Sequence, residues 1–138
     1  MTGPVSGSGI IAIVDDDEPL RDALGSVMKA AGFFTALFDS AEAFLAFPAR
    51  DSVSCLILDV RLPGMSGAEL QSRLSADGSR VPIVFVTAQG DDALRDSLIR
   101  AGAAGFMNKP VRSTVLLRAV EAAIEDTGRG NQSVAGGE

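Results

Sequence analysis

Five times along this chain a short apolar run gives way to a stretch in which apolar residues recur every three or four positions. The runs Ile10–Val14, Phe33–Phe38, Ser54–Leu58, Ile83–Thr87 and Gly105–Asn108 predict strands. The first, third and fourth are almost continuously apolar, the pattern of parallel strands covered on both faces. Helical periodicity fills the intervals. Pro19 marks a helix start, Leu20, Ala23, Leu24, Val27, Met28 and Ala31 line one face, and Gly32 ends it. Asp39 and Glu42 predict a capping box for a short second helix through Phe47. Ser66 and Glu69 predict another for a third helix, with Leu70 and Leu74 facing inward. Asp91 and Asp92 precede a fourth helix carrying Leu94, Leu98 and Ala101. A fifth begins near Arg112 and carries Val115, Leu116, Ala119, Val120, Ala123 and Ile124.

The order is therefore (βα)5. Right-handed crossovers make it an α/β fold, an open doubly wound parallel sheet with helices on both faces. The 138 residues suit one domain. Residues 1–9, rich in Gly, Ser and Pro, predict a disordered lead-in, and residues 10–126 predict the folded domain. Residues 127–138 (TGRGNQSVAGGE) predict a flexible tail or the start of a linker.

Ligands on such sheets bind beyond the carboxyl ends of the strands. There the first strand delivers Asp15-Asp16-Asp17, the third Asp59, the fourth Thr87-Ala88 and the fifth Lys109-Pro110. Taken singly, each has a plain structural explanation: an acid can cap the next helix, a threonine can end a strand, a lysine can be solvated. Together they place several carboxylates in one crevice, where they repel unless a cation neutralises them. Oxygen ligands alone point to a hard divalent ion, and Mg²⁺ suits a site that keeps positions open for phosphate oxygens.

Composition removes most competing chemistry. The chain has no histidine, which excludes Ser-His-Asp and Cys-His catalysis, imidazole metal sites and an internal phosphohistidine relay. A formal charge of −6 with scattered basic residues argues against direct nucleic acid binding by this chain. No apolar run approaches the ~20 residues of a membrane span, and no secretory signal pattern is visible. The lone Cys55 forms no internal disulfide and fits an inert buried thiol. A soluble, cytoplasmic chain without membrane association is expected.

The segments IIAIVDDDEPLRDAL, CLILDVRLPGMSGAEL, VPIVFVTAQGDD and AGAAGFMNKPV resemble the receiver domains of two-component response regulators, and within them the FixJ-type and TodT/StyR-type receivers. The likeness covers roughly residues 10–126. It implies a flavodoxin-like sheet of strand order 2-1-3-4-5. It also implies that Asp59 accepts a phosphoryl group, in the presence of Mg²⁺, from a sensor histidine kinase or phosphotransfer protein. By the same resemblance Asp15, Asp16, Asp59 and the Arg61 backbone carbonyl hold the metal, and Asp17 serves the helix start. Lys109, joined to Pro110 by a cis peptide, pairs with the phosphate. Thr87 and Phe106 form the switch pair, and the face of the fourth helix, fifth strand and fifth helix reads out the change. Arg95, Arg100, Arg112 and Arg118 lie there among Asp92, Asp96, Glu121 and Glu125, a solvated surface that also suits a homodimer formed on phosphorylation. Arg61 and Gln89 border the phosphate and are expected to influence its hydrolysis.

Two other readings of the chemistry compete. A haloacid dehalogenase-type phosphatase also uses an Asp after a strand, but it needs a second Asp two residues on, where this chain has Arg61. A degenerate receiver acting as a constitutive binding module would have lost an acid, the lysine or the phosphoacceptor, and none is missing. The chain is expected to catalyse no reaction beyond its own phosphorylation and dephosphorylation. Two architectures stay open: a stand-alone receiver, or the receiver piece of a DNA-binding transcriptional regulator.

Overall fold

The computed structural model describes residues 9–136, and side chains for residues 9–127. Its strands are β1 Ile10–Val14, β2 Phe34–Phe38, β3 Val53–Asp59, β4 Ile83–Thr87 and β5 Gly105–Asn108. Its helices are α1 Glu18–Ala30, α2 Ala41–Leu45, α3 Gly67–Ala76, α4 Asp92–Arg100 and α5 Ser113–Gly136, with one 3-10 turn at Arg50–Ser52. The sheet runs β2-β1-β3-β4-β5 and every pairing is parallel. This is the expected flavodoxin-like order. Strand order reverses between β1 and β3, where a doubly wound sheet opens its crevice. Val14 pairs with Leu58 and Asp59 with Val86, so the acids after β1 and at the end of β3 emerge side by side.

Alternation within the apolar strands divides the interior into two layers. Ala12, Val14, Leu56, Leu58 and Phe85 face Phe44, Leu70, Leu74 and Leu98 of α2, α3 and α4. Ile11, Ile13, Cys55, Ile57, Val84 and Val86 face Leu24 and Met28 of α1 and Leu116, Val120 and Ala123 of α5. Burial of both strand faces explains the continuous apolar runs. Phe85 is fully buried whereas Phe34, on the edge strand β2, is 68% exposed. Phe85→Ala is expected to destabilise the domain by about 3–5 kcal/mol in chemical denaturation. Phe34→Ala is expected to stay within about 0.5 kcal/mol of the unaltered protein.

Side chains cap α1, α3 and α4 at their N-termini. Asp17 accepts from the Leu20 amide at 3.3 Å and Asp91 from the Leu94 amide at 2.8 Å. Ser66 and Glu69 form the full capping box of α3. At α2 the expectation fails. Ser40, not Asp39, is the cap, its hydroxyl accepting from the Ala43 amide at 3.0 Å. Glu42 instead accepts from the Met65 amide at 2.9 Å, because Gly64, at φ 75°, turns the β3–α3 loop toward it.

Gly9, assigned to the lead-in, is buried against Ser54; residues 1–8 lie outside the described residues. Helix α5 runs through Thr127 to Gly136, and the segment holds no proline to force a stop. Among the described residues no helix is long and apolar enough to cross a membrane.

Candidate functional site

The acids at the sheet's carboxyl edge are held by the loops that carry them. Asp15 is 2% exposed; its Oδ1 accepts from the Asp17 amide at 2.9 Å, and its backbone carbonyl accepts from Arg21 Nη1 at 2.7 Å. Asp59 is 5% exposed, and its Oδ1 accepts from the Arg61 amide at 3.2 Å. Asp16 is exposed at the rim. Oxygens of Asp15, Asp16 and Asp59 lie within 4.8 Å of one another, an arrangement that could hold a metal ion.

Lys109 closes the crevice from β5. Its Nζ lies 3.1 Å from Asp15 Oδ2 and 3.3 Å from Asp59 Oδ2. The Lys109 amide donates to the Thr87 carbonyl at 2.8 Å, and the Lys109-Pro110 peptide is cis, as the resemblance implied. Thr87 is completely buried at the end of β4, and its Oγ1 has no hydrogen-bond partner among the described residues. A buried hydroxyl without a partner is unusual in a folded protein and marks a place where another oxygen can bind.

The electrostatics fit a divalent cation. Three carboxylates and one ammonium leave a formal charge of −2 in a partly desolvated crevice. Burial and the neighbouring Asp15 push Asp59 above its ordinary value of 3.8, outweighing Lys109 and the Arg61 amide, which lower it. Burial acts to lower Lys109, but its hydrogen bond and attraction to Asp15, joined by Asp59, raise it above 10.5. Such hard oxygen donors, without imidazole or thiolate, match the ligand preferences of Mg²⁺ or Ca²⁺.

A stability signature follows. An acid with a raised folded pKa favours folding fully below 3.8 and loses that contribution as pH rises through its folded value. In metal-free buffer, Asp59→Asn removes this penalty. The variant's unfolding temperature is expected to gain on that of the unaltered protein as pH is raised from 3.8 towards neutrality. Equal pH profiles for the two proteins would contradict it.

The candidate residues Asp15, Asp16, Asp59, Thr87 and Lys109 all come to this edge. Asp17 remains outside it as the cap of α1. Arg61 contributes its amide to Asp59, and both its side chain and Gln89 are exposed. Phe106 lies on β5 at the edge of the layer built on α2, α3 and α4, beside Arg95, Asp96, Ile99 and Arg100 of α4. Three contributors escape the sequence patterns. Arg21 holds the backbone carbonyl of Asp15, six residues earlier, and Glu42 holds the Met65 amide, 23 residues later; neither contact follows from helix or strand spacing. Gly67 is different: a Cβ there would lie 2.3 Å from the Asp59 carbonyl oxygen, and its amide donates to the Val60 carbonyl at 2.9 Å. A glycine at the first position of a helix, where most residues serve, is the one available hint.

Comparison with known proteins decides the family. The family model for the response regulator receiver domain matches residues 11–121. The chain belongs to that family. This receiver domain is 40% identical over 118 residues to the response regulator protein TodT of Pseudomonas putida, covering 86% of this chain and 52% of that protein. It is 40% identical over 116 residues to the transcriptional regulatory protein FixJ of Bradyrhizobium diazoefficiens, covering 84% and 57%. The solved structure of the response regulator StyR superposes with a TM-score of 0.83 at 38% identity, covering 94% of this chain and 65% of that one. The receiver domain spans about half the length of the curated relatives it matches.

Proposed function

We propose that this receiver domain is a phosphorylation-driven switch in which Asp59 accepts a phosphoryl group from the phosphohistidine of a sensor histidine kinase or phosphotransfer protein. One observation carries the reading: Lys109 Nζ bridges Asp15 and Asp59 while the Thr87 hydroxyl, at the neighbouring strand end, is buried without a partner among the described residues. Phosphoryl transfer demands mainly positioning and neutralisation of charge, and those groups supply both.

An Asp59 oxygen attacks phosphorus as the donor's N–P bond breaks. The imidazole nitrogen keeps that bonding pair and takes a proton from solvent. Asp15, Asp16, Asp59 and the Arg61 backbone carbonyl would hold Mg²⁺, which supplies positive charge to the phosphoryl oxygens. The Lys109 ammonium binds a phosphoryl oxygen as a point charge. Thr87 Oγ1 donates to another and moves inward as it does so. Phe106 moves with Thr87, altering the face of α4, β5 and α5. The phosphoryl group shifts the population only through its better fit to one conformer. Exposed Arg61 and Gln89 govern water's access to phosphorus and so the lifetime of the acyl phosphate.

Residues 10–126 make up the receiver unit, and residues 127–138, into which helix α5 continues as far as Gly136, serve as a tail or the start of a linker. FixJ is named a transcriptional regulatory protein, which supports transcription as the output through a domain outside this chain. The acidic receiver itself contacts no nucleic acid and works in the cytoplasm, and phosphorylation favours a homodimer through the α4, β5 and α5 face.

The test is incubation with Mg²⁺ and acetyl phosphate, followed by intact mass measurement. One added phosphoryl group is expected, and none after Mg²⁺ is removed by chelation. Labelling that ignores Mg²⁺, or no labelling, would sink the reading. Mg²⁺ at about 100 times its Kd should also stabilise the fold by about 2.7 kcal/mol, measured by unfolding with and without the ion.

A further inference from the structure

Gly90 lies in the loop between β4 and α4, three residues after Thr87. Its amide donates to Asn108 Oδ1 at 2.9 Å, which ties this loop to the end of β5. A Cβ at this position would lie 2.3 Å from Phe106 Cζ, 2.9 Å from Phe106 Cε1 and 2.7 Å from the Thr87 methyl carbon. The phenyl edge and the threonine methyl therefore converge on the one face of Gly90 where every other residue carries a side chain. Backbone need does not explain the glycine. Gly32, Gly64, Gly78 and Gly102 take positive φ, and Gly90 does not. What position 90 requires is empty space.

We propose that Gly90 is a positioning residue: the gap left by its missing side chain is where Phe106 seats against Thr87, and this seating sets the reach of the Thr87 hydroxyl. The inference rests on the receiver reading above and adds to it a third member of the switch. Interiors resist overlap closer than van der Waals contact, so a single methyl at position 90 must displace the ring, the threonine or both. The Phe106 ring end can swing away, whereas Thr87, completely buried with a stiff β-branched side chain, has little freedom. An added methyl should thus unseat Phe106 first and leave Thr87 misaligned for an incoming phosphoryl oxygen. Asp15, Asp16 and Asp59 lie at other strand ends, so metal binding should not change.

The experiment compares the full chain, Gly90→Ala, Phe106→Leu and the double variant. Labelling rates are measured with acetyl phosphate and Mg²⁺, and the Thr87 methyl resonance is followed by NMR in the unphosphorylated proteins. Leucine lacks the Cε1 and Cζ atoms that would meet the new methyl. Gly90→Ala should slow labelling on the order of tenfold, about 1.4 kcal/mol, while Mg²⁺ affinity stays unchanged. In the Phe106→Leu background the same substitution should slow labelling less, because the overlap with the ring is gone and only that with the Thr87 methyl remains. The Thr87 methyl should shift in Gly90→Ala and shift less in the double variant. Equal effects of Gly90→Ala in both backgrounds, or an unmoved Thr87 resonance, would overturn the inference. If the unaltered protein does not label at all, the receiver reading falls and this inference falls with it.

Discussion

Asp59→Asn is expected to take up no phosphoryl group from acetyl phosphate under conditions in which the unaltered chain gains one. Asparagine keeps the shape of the side chain and can still accept the Arg61 amide hydrogen bond, seen at 3.2 Å. It lacks the anionic oxygen that attacks phosphorus, and a neutral amide is a far weaker nucleophile. The loss should arrive without loss of fold. Asp59 is nearly buried and repelled by Asp15, so in metal-free buffer near neutrality the amide should be the more stable side chain. Intact mass and thermal unfolding measured together separate a missing nucleophile from a damaged domain. Labelling of the asparagine variant at the normal rate would remove Asp59 from the mechanism.

Lys109→Met is the second large effect, and its signs are diagnostic. The Lys109 side chain is only 19% exposed and spans two nearly buried acids. Removing one partner of such a group leaves uncompensated charge, so the metal-free variant should lose about 3 kcal/mol of stability. The formal charge of the crevice falls from −2 to −3, so Mg²⁺ should bind more tightly than before. Labelling should nevertheless slow by about a hundredfold or more, the scale on which loss of a preorganised electrostatic partner acts. Tighter metal binding with slower phosphoryl uptake is hard to obtain from general damage to the fold. Isothermal titration with Mg²⁺ and the labelling time course check the two halves separately. Weakened Mg²⁺ binding with normal labelling would show that Lys109 serves the metal rather than the phosphoryl group.

The sheet was legible because burial on both faces writes each inner strand as an apolar run, as in Ile11–Val14 and Leu56–Leu58. The crevice was legible because a doubly wound sheet sends its chemistry to the strand ends, where Asp15, Asp59, Thr87 and Lys109 stand. What stayed hidden depends on contacts between segments. Asp39 and Ser40 are both good caps, and only the extended backbone of Ser40 decides between them. Glu42 could close its own helix start, yet a turn 23 residues later offers it the Met65 amide. Gly67 and Gly90 matter through the atoms their absent side chains would strike, and no one-dimensional pattern records an empty volume.

The central claim is that phosphorus becomes bonded to the side chain of residue 59. Borohydride reduces an aspartyl phosphate to homoserine, which marks the site permanently for peptide sequencing by mass spectrometry. After reaction with acetyl phosphate and Mg²⁺, homoserine is expected at position 59 and at no other aspartate. Homoserine at Asp15 or Asp16, or label retained on a hydroxyl side chain with Asp59 intact, would contradict the account.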